Sequence, residues 1–300
     1  MPRSVLRIGT RTSPLALVQA EAVRQMISTV ITHRSFELVP VSTEADRRKA
    51  DLGSKREWVE ELQQALLGGK VDLIVHSAKD VPIEAPKGVV LASTPKREDP
   101  RDALLSRSGK GLDGLAVGST VGTSSLRRIA QLRALHRGIN PVELRGNIET
   151  RIAAMQDAKV DAVILAVAGM RRLLRKLPAN AEILGIDRML PAPGQGALAV
   201  ECRATDRNMR AGLAKIEDEA TRVAVDAERA FVAGLGGDCG LPLAALGERR
   251  DDVVRLRGLV ADSEGSRILA DQVEHADPEK AGFELAERLK DRGALELLQT

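Results

Sequence analysis

Tyrosine is absent from the 300 residues, and the aromatic set is three Phe and one Trp. Binding that stacks bases on aromatic side chains, as single-strand nucleic-acid platforms do, is not expected from so little aromatic surface. Two cysteines make no disulfide framework, and the N-terminal "MPRSVLRIGT" lacks the apolar run of a signal peptide. No stretch approaches the roughly 18–20 consecutive apolar residues of a membrane-spanning helix. The four histidines, at 33, 76, 136 and 275, are scattered without ligand spacing, so no metal is expected. These shortages together point to a cytoplasmic protein with reduced thiols and neither a membrane nor a nucleic acid as partner.

What is present is a chain 43% hydrophobic, enough for two or three packed domains, with a net charge of only +3. "VLRIGT", "FELVPVST", "VDLIVHSA" and "GVVLAST" read as strands, with Ser13 and Pro14 opening a helix after the first and "WVEELQQALLGG" forming another. Alternation of this kind predicts an α/β domain with a mainly parallel sheet. The charged stretch 94–111, with Pro95 and Pro100, reads as a linker. A second α/β set follows it, and "LPAPGQGALAV" (190–200) is a second Pro/Gly break. Two passages between lobes predict a hinge and a cleft. From Asp218 a long helix, three strands and a closing helix from Asp277 predict a small α+β domain with an antiparallel sheet. The expected domains are 1–95 plus 196–215, 100–190, and 218–300.

Four turns pair a small or polar residue at a helix start with a cation: "TRTSP", "GTSSLRR", "LRGNIETR" and "AGMRR". A helix N-terminus offers unpaired N–H groups, and arginine offers a planar fork for carboxylate or phosphate. Repeated at strand ends, the pattern describes a site for a molecule rich in carboxylates. "HSAKDVP" (76–82) ends an apolar strand with Lys79 and Asp80 side by side, a candidate for proton handling or cation stabilisation. His76 by itself reads as a packed or capping histidine rather than a catalyst. These residues alone leave open a non-catalytic two-lobed binding protein for an anionic small molecule and, more remotely, an RNA-binding regulator.

"RIGTRTSPLALVQA", "HSAKDVP", "REDPRDALLS", "GTSSLRR", "LRGNIETR", "DAVILAVAGMRRL", "LPAPGQGALAVECR" and "AERAF…GGDCGLP" occur in that order over residues 5–242. In these segments the chain resembles the porphobilinogen deaminases, also called hydroxymethylbilane synthases. The resemblance implies two α/β domains like type II periplasmic binding proteins around a cleft, plus a small C-terminal α+β domain with a three-stranded antiparallel sheet. It also implies a dipyrromethane cofactor held through a thioether on Cys239. Four porphobilinogens are joined head to tail onto this primer with loss of ammonia, and the linear tetrapyrrole is released by hydrolysis. A monomer whose product passes to uroporphyrinogen III synthase is implied too.

Carried over by position, the resemblance gives Asp80 the catalytic role. Lys79, Ser125, Arg127, Arg128, Arg145 and Arg151 fall on cofactor-binding positions, and Arg11, Ser13 and Arg172 on substrate-binding ones. Every pyrrole brings an acetate and a propionate, which accounts for so many arginines. Three departures stand out. Where the family usually has "GGKGLF", this chain has "GSKREW" (53–58), keeping Lys55 and placing Trp58 at the aromatic position. The preceding loop "TEADRRKADL" also differs. "GGDC" replaces the usual "EGGC", so Asp238 sets a negative charge beside the attachment thiol and is expected to raise its pKa. Cys202, in the apolar strand "ALAVECR", is expected to be structural.

Overall fold

The computed structural model describes residues 5–41, 55–136, 138–237 and 241–298. The chain divides into two compact units, residues 1–98 with 197–222 and residues 99–196 with 223–300.

The first unit is built on strands β1 (Val5–Arg11), β2 (Ser35–Val41), β3 (Leu73–Ser77) and β4 (Val89–Ser93), joined by the later β10 (Leu198–Arg203). Their order is β2-β1-β3-β10-β4, with β1, β2 and β3 parallel and β10 antiparallel to both its neighbours. Side chains alternate across a strand, and β3 shows the consequence. Leu73 and Val75 join Leu6, Ile8, Val200 and Cys202 against helix α1 (Pro14–Val30), while Ile74 faces Leu62 and Leu66 of helix α2 (Lys55–Leu67). Helix α1 starts as its sequence predicts: Ser13 Oγ accepts the Ala16 N–H and Pro14 occupies the first turn. Cys202 is fully buried in this core, and burial pushes its thiol up to about 11, in keeping with a structural cysteine. Helix α6 (Arg207–Leu213) closes the unit.

The second unit contains a five-stranded sheet of the same pattern: β5 (Asp102–Ser106), β6 (Thr120–Gly122), β7 (Asn140–Val142), β8 (Ala162–Ala166) and β9 (Ala181–Ile183), in the order β7-β6-β8-β5-β9. Here β6, β7 and β8 are parallel and β5 runs against β8 and β9. Each sheet is thus mixed rather than wholly parallel, and its reversed strand, β5 or β10, is the first after the chain passes from one unit to the other. Helices α3 (Leu126–Leu135), α4 (Ile148–Gln156) and α5 (Val167–Leu174) follow β6, β7 and β8.

The stretch 94–111 is not simply a linker, because β5 lies inside it and is buried at every residue. A five-residue strand covered on both faces has no alternation to display, and charged flanks hide its apolar centre.

The same unit holds helix α7 (Glu219–Gly234) from Val223 onward, its first four residues belonging to the first unit, and the antiparallel sheet β11 (Leu243–Arg250), β12 (Val253–Ala261), β13 (Ile268–His275). Helices α8 (Pro278–Lys290) and α9 (Ala294–Leu298) follow, with Asp277 capping α8. Gly258 of β12 lets Phe231 and Leu285 close over one sheet face, since a Cβ there would lie 2.8 Å from both. Leu246, Leu259 and Ala261 pack with Ala130 of α3 and with Leu190. The β12–β13 hairpin also reaches α3: Gly265, at φ +68, sits where any Cβ would collide with the Ala130 backbone. The expected two α/β sheets and C-terminal three-stranded antiparallel sheet are all present.

Candidate functional site

In the first unit the predicted residues gather at the C-terminal ends of neighbouring parallel strands. Arg11 ends β1, with Ser13 capping the next helix; Lys79 and Asp80 lie in a 3₁₀ turn, Ala78–Asp80, directly after β3. That turn is fixed at its start, where the Ala78 N–H donates to the Ala197 carbonyl at 3.0 Å, and is closed by Val81 N–H to Ala78 O at 3.3 Å. Below it lies a buried polar cluster. His76 Nε2 is 3.1 Å from Glu201 Oε2, and the Gln63 amide donates to both Glu201 oxygens at 3.1 and 3.2 Å. His76 is therefore a packed residue, as the sequence reading has it. Glu201 and Gln63 escaped that reading, because they lie far from "HSAKDVP" in sequence. Trp58, in the first turn of α2, carries the Arg11 guanidinium over its ring at 3.7 Å from the centroid.

In the second unit the predicted residues again follow the parallel strands β7, β6 and β8. Ser125 is the extended N-cap residue of α3, its hydroxyl making no capping bond. Arg127 and Arg128, in the first turn of α3, are 4% and 6% exposed and converge on Asp102 of β5. Arg127 Nη2 donates to Asp102 Oδ2 and Arg128 Nη2 to Asp102 Oδ1, both at 2.7 Å, and Gln195 Nε2 adds a third bond at 2.9 Å. Their other Nη groups bond the carbonyls of Leu190 (2.6 Å) and Ile164 (3.0 Å). Burial alone would raise the Asp102 pKa, but the charges of Arg127 and Arg128 outweigh it and hold the carboxyl far below its ordinary range. The cluster holds two cations against one anion, and both Arg Nε atoms are buried without a hydrogen-bond partner among the described residues.

Arg145 and Arg151 belong to the "LRGN" turn and the start of α4. Gly146 takes φ +109 there, and Asn147 caps the helix by accepting the Thr150 N–H at 2.8 Å. Arg145 Nε bonds Glu143 at 2.7 Å; Arg151 Nε bonds the Gly146 carbonyl at 2.8 Å, and its Nη2 lies 3.4 Å from Ser124 Oγ, joining two of the turns. The fourth turn departs from the expected design. Arg171 and Arg172 sit in the last turn of α5, not at its start, because "AVAG" opens the helix without a polar cap. Arg172 Nη2 donates to the Gly196 carbonyl at 2.7 Å.

Two acids in this unit went unassigned from sequence. Asp102 was visible in "REDPRDALLS" but carried no role there. Glu228 of α7, fully buried, accepts the N–H groups of Gly194 (2.5 Å) and Gly247 (2.8 Å), tying the Pro/Gly segment to β11. Cys239 and Asp238 lie outside the described residues, as do the loop 42–54 and the Lys55 side chain.

The model for "Porphobilinogen deaminase, dipyromethane cofactor binding domain" matches residues 6–211, and that for "Porphobilinogen deaminase, C-terminal domain" matches 222–291. The chain is 43% identical to the porphobilinogen deaminase of Syntrophus aciditrophicus over 98% of both chains. It is 40% identical to that of Roseiflexus sp., over 99% of both. Among solved structures it has a distant likeness to the VFT2 domain of Bordetella pertussis BvgS, at TM-score 0.44 and 17% identity over 71% of this chain and 86% of that one. Its activity is that of a hydroxymethylbilane synthase, a transferase of tetrapyrrole biosynthesis acting on porphobilinogen, with a dipyrromethane-binding domain. On these matches the chain belongs to the porphobilinogen deaminase family.

Proposed function

We propose that Asp80 is the catalytic carboxylate, that Cys239 holds the dipyrromethane through a thioether, and that the arginine turns bind the pyrrole acetates and propionates. Lys79, Ser125, Arg127, Arg128, Arg145 and Arg151 serve the cofactor; Arg11, Ser13 and Arg172 serve the substrate. The observation that carries this reading is the buried cluster of Arg127, Arg128 and Asp102. Two guanidinium groups against one carboxylate leave a single positive charge uncancelled, an arrangement that is costly by itself and is relieved by an anionic ligand. The residues therefore fit a cofactor that carries carboxylates. When bound, the dipyrromethane supplies a nucleophilic terminal pyrrole carbon for chain growth.

The chain's own part is electrostatic and acid–base. Loss of ammonia from porphobilinogen leaves an electron-poor methylene on the substrate, its positive charge shared with the ring nitrogen. The Asp80 carboxylate stabilises that charge at the N–H and accepts a proton as aromaticity returns. Strand β3 and the clamped 3₁₀ turn hold Asp80 on a rigid base, so the carboxylate is positioned before the substrate arrives.

The same reading divides the chain into domains 1–95 plus 196–215, 100–190 and 218–300. It makes the protein a cytoplasmic monomer that delivers its product to uroporphyrinogen III synthase. Asp80→Ala is expected to keep its thermal midpoint and its cofactor mass while losing about 10²–10⁴ in turnover. Near-normal turnover would sink the assignment.

A further inference from the structure

We propose that Glu201 is a positioning residue for Asp80: buried below the 3₁₀ turn, it fixes the strand from which that turn hangs. The inference rests on the catalytic role proposed above for Asp80. In the pairing of β3 with β10, Glu201 lies opposite Ile74 and Ala199 opposite His76. Side chains alternate along a strand, so Glu201, Ile74 and His76 share one face, the one covered by α2. Leu62, Leu66, Val71 and Val89 make most of that interface apolar. Into it the chain sets a fully buried acid, with Gln63 1% and His76 6% exposed beside it.

Packing alone does not account for this group. The partners of Glu201 among the described residues are the Gln63 amide, at 3.1 and 3.2 Å, and the His76 ring, whose Nε2 lies 3.1 Å away without an aligned hydrogen bond. Neither is a permanent cation, so the desolvation of the carboxylate is poorly offset, and apolar side chains of similar volume would hold α2 to the sheet as well or better. What a polar cluster supplies is direction, which hydrophobic contact lacks. Direction matters here because β10 is irregular at this residue. Its partner on β4 changes from Ser93, opposite Val200, to Leu91, opposite Glu201, so Ala92 is an extra residue. Four residues before Glu201, the Ala197 carbonyl accepts the Ala78 N–H that starts the turn carrying Lys79 and Asp80. A shift of β10 at the bulge would pass to Asp80 through that bond, and the tie from Glu201 to α2 prevents it.

The test uses the holoenzyme, its cofactor confirmed by intact mass, and reads the unfolding midpoint, kcat and KM. The variants are Glu201→Gln, the apolar triple of Gln63→Met, His76→Leu and Glu201→Met, and that triple combined with Asp80→Ala. The triple is expected to unfold at or above the wild-type midpoint while kcat falls about tenfold and KM for porphobilinogen stays within about twofold. Glu201→Gln keeps the shape and accepts the Gln63 amide through its own carbonyl, so its kcat should stay within about threefold of wild type. In the Asp80→Ala background the triple should cost no further turnover, because the group it displaces is gone. Wild-type kcat in the triple overturns the positioning role. So does an undiminished loss in the Asp80→Ala background, which would mark damage elsewhere, or a loss in Glu201→Gln as large as in the triple. Should the triple not fold, Gln63→Leu, which releases Glu201 from α2, takes its place: kcat is expected to fall about threefold, with no further loss in the Asp80→Ala background, and wild-type kcat overturns the proposal. Near-normal turnover of Asp80→Ala alone would instead sink the catalytic reading of Asp80.

Discussion

The arginines of the two units have visibly different surroundings. Arg127 and Arg128 are sunk in the second unit, their forks engaged by Asp102 and by two carbonyls. Arg11, in the first, is held by a ring that contacts its face. A carboxylate fixes a guanidinium strongly and consumes part of its fork. A ring contacts it through its face. The first arrangement builds a rigid platform with one charge to spare, which suits the resident cofactor of the proposed function. Both follow the C-terminal ends of parallel strands, the position at which α/β sheets bind ligands.

Removing Asp102 should break the contrast most severely. Asp102→Asn keeps the shape but leaves two buried guanidinium groups facing no anion, at an expected cost of about 3–5 kcal/mol in denaturant unfolding. A loss under about 1 kcal/mol would show that the cluster is not the rigid platform described. The pH profile gives the same comparison a sign. The Asp102 pKa is lowered in the folded protein, so its contribution is complete above the ordinary carboxylate pKa of about 4 and is lost as pH falls below that value toward the folded one. Wild type should lose stability over this acid range more steeply than Asp102→Asn, and equal slopes would contradict the account. Arg11→Met lies at the other extreme. It removes the contact with the Trp58 ring and leaves the Asp102 cluster untouched, and with the substrate role proposed for Arg11 it should raise KM for porphobilinogen.

The parts of this architecture written in local chemistry were legible in the sequence. Ser13–Pro14 and Asp277 announce helix starts, because capping needs only a side chain and the next two or three N–H groups. The three C-terminal strands were legible as well, since each is long enough to display its pattern. Strand β5 was hidden by burial on both faces. The placement of Arg171 and Arg172 at the wrong end of α5 was hidden because "AVAGM" has no cap to mark where the helix begins. The counter-ion of Arg127 and Arg128 and the cationic partner of Trp58 could not be read at all: each pair is joined only when separate elements pack. Motifs thus singled out the arginines, and the fold showed how differently they are held.

The central claim is that this chain carries its own pyrrole primer on Cys239, and the intact mass of the purified protein tests it most directly. The account predicts an excess equal to two linked pyrrole units in the wild type and in Cys202→Ser, whose thiol is buried in the first unit, and no excess in Cys239→Ser. An unmodified wild-type chain from cells that make porphobilinogen, or an excess that survives in Cys239→Ser, would contradict it.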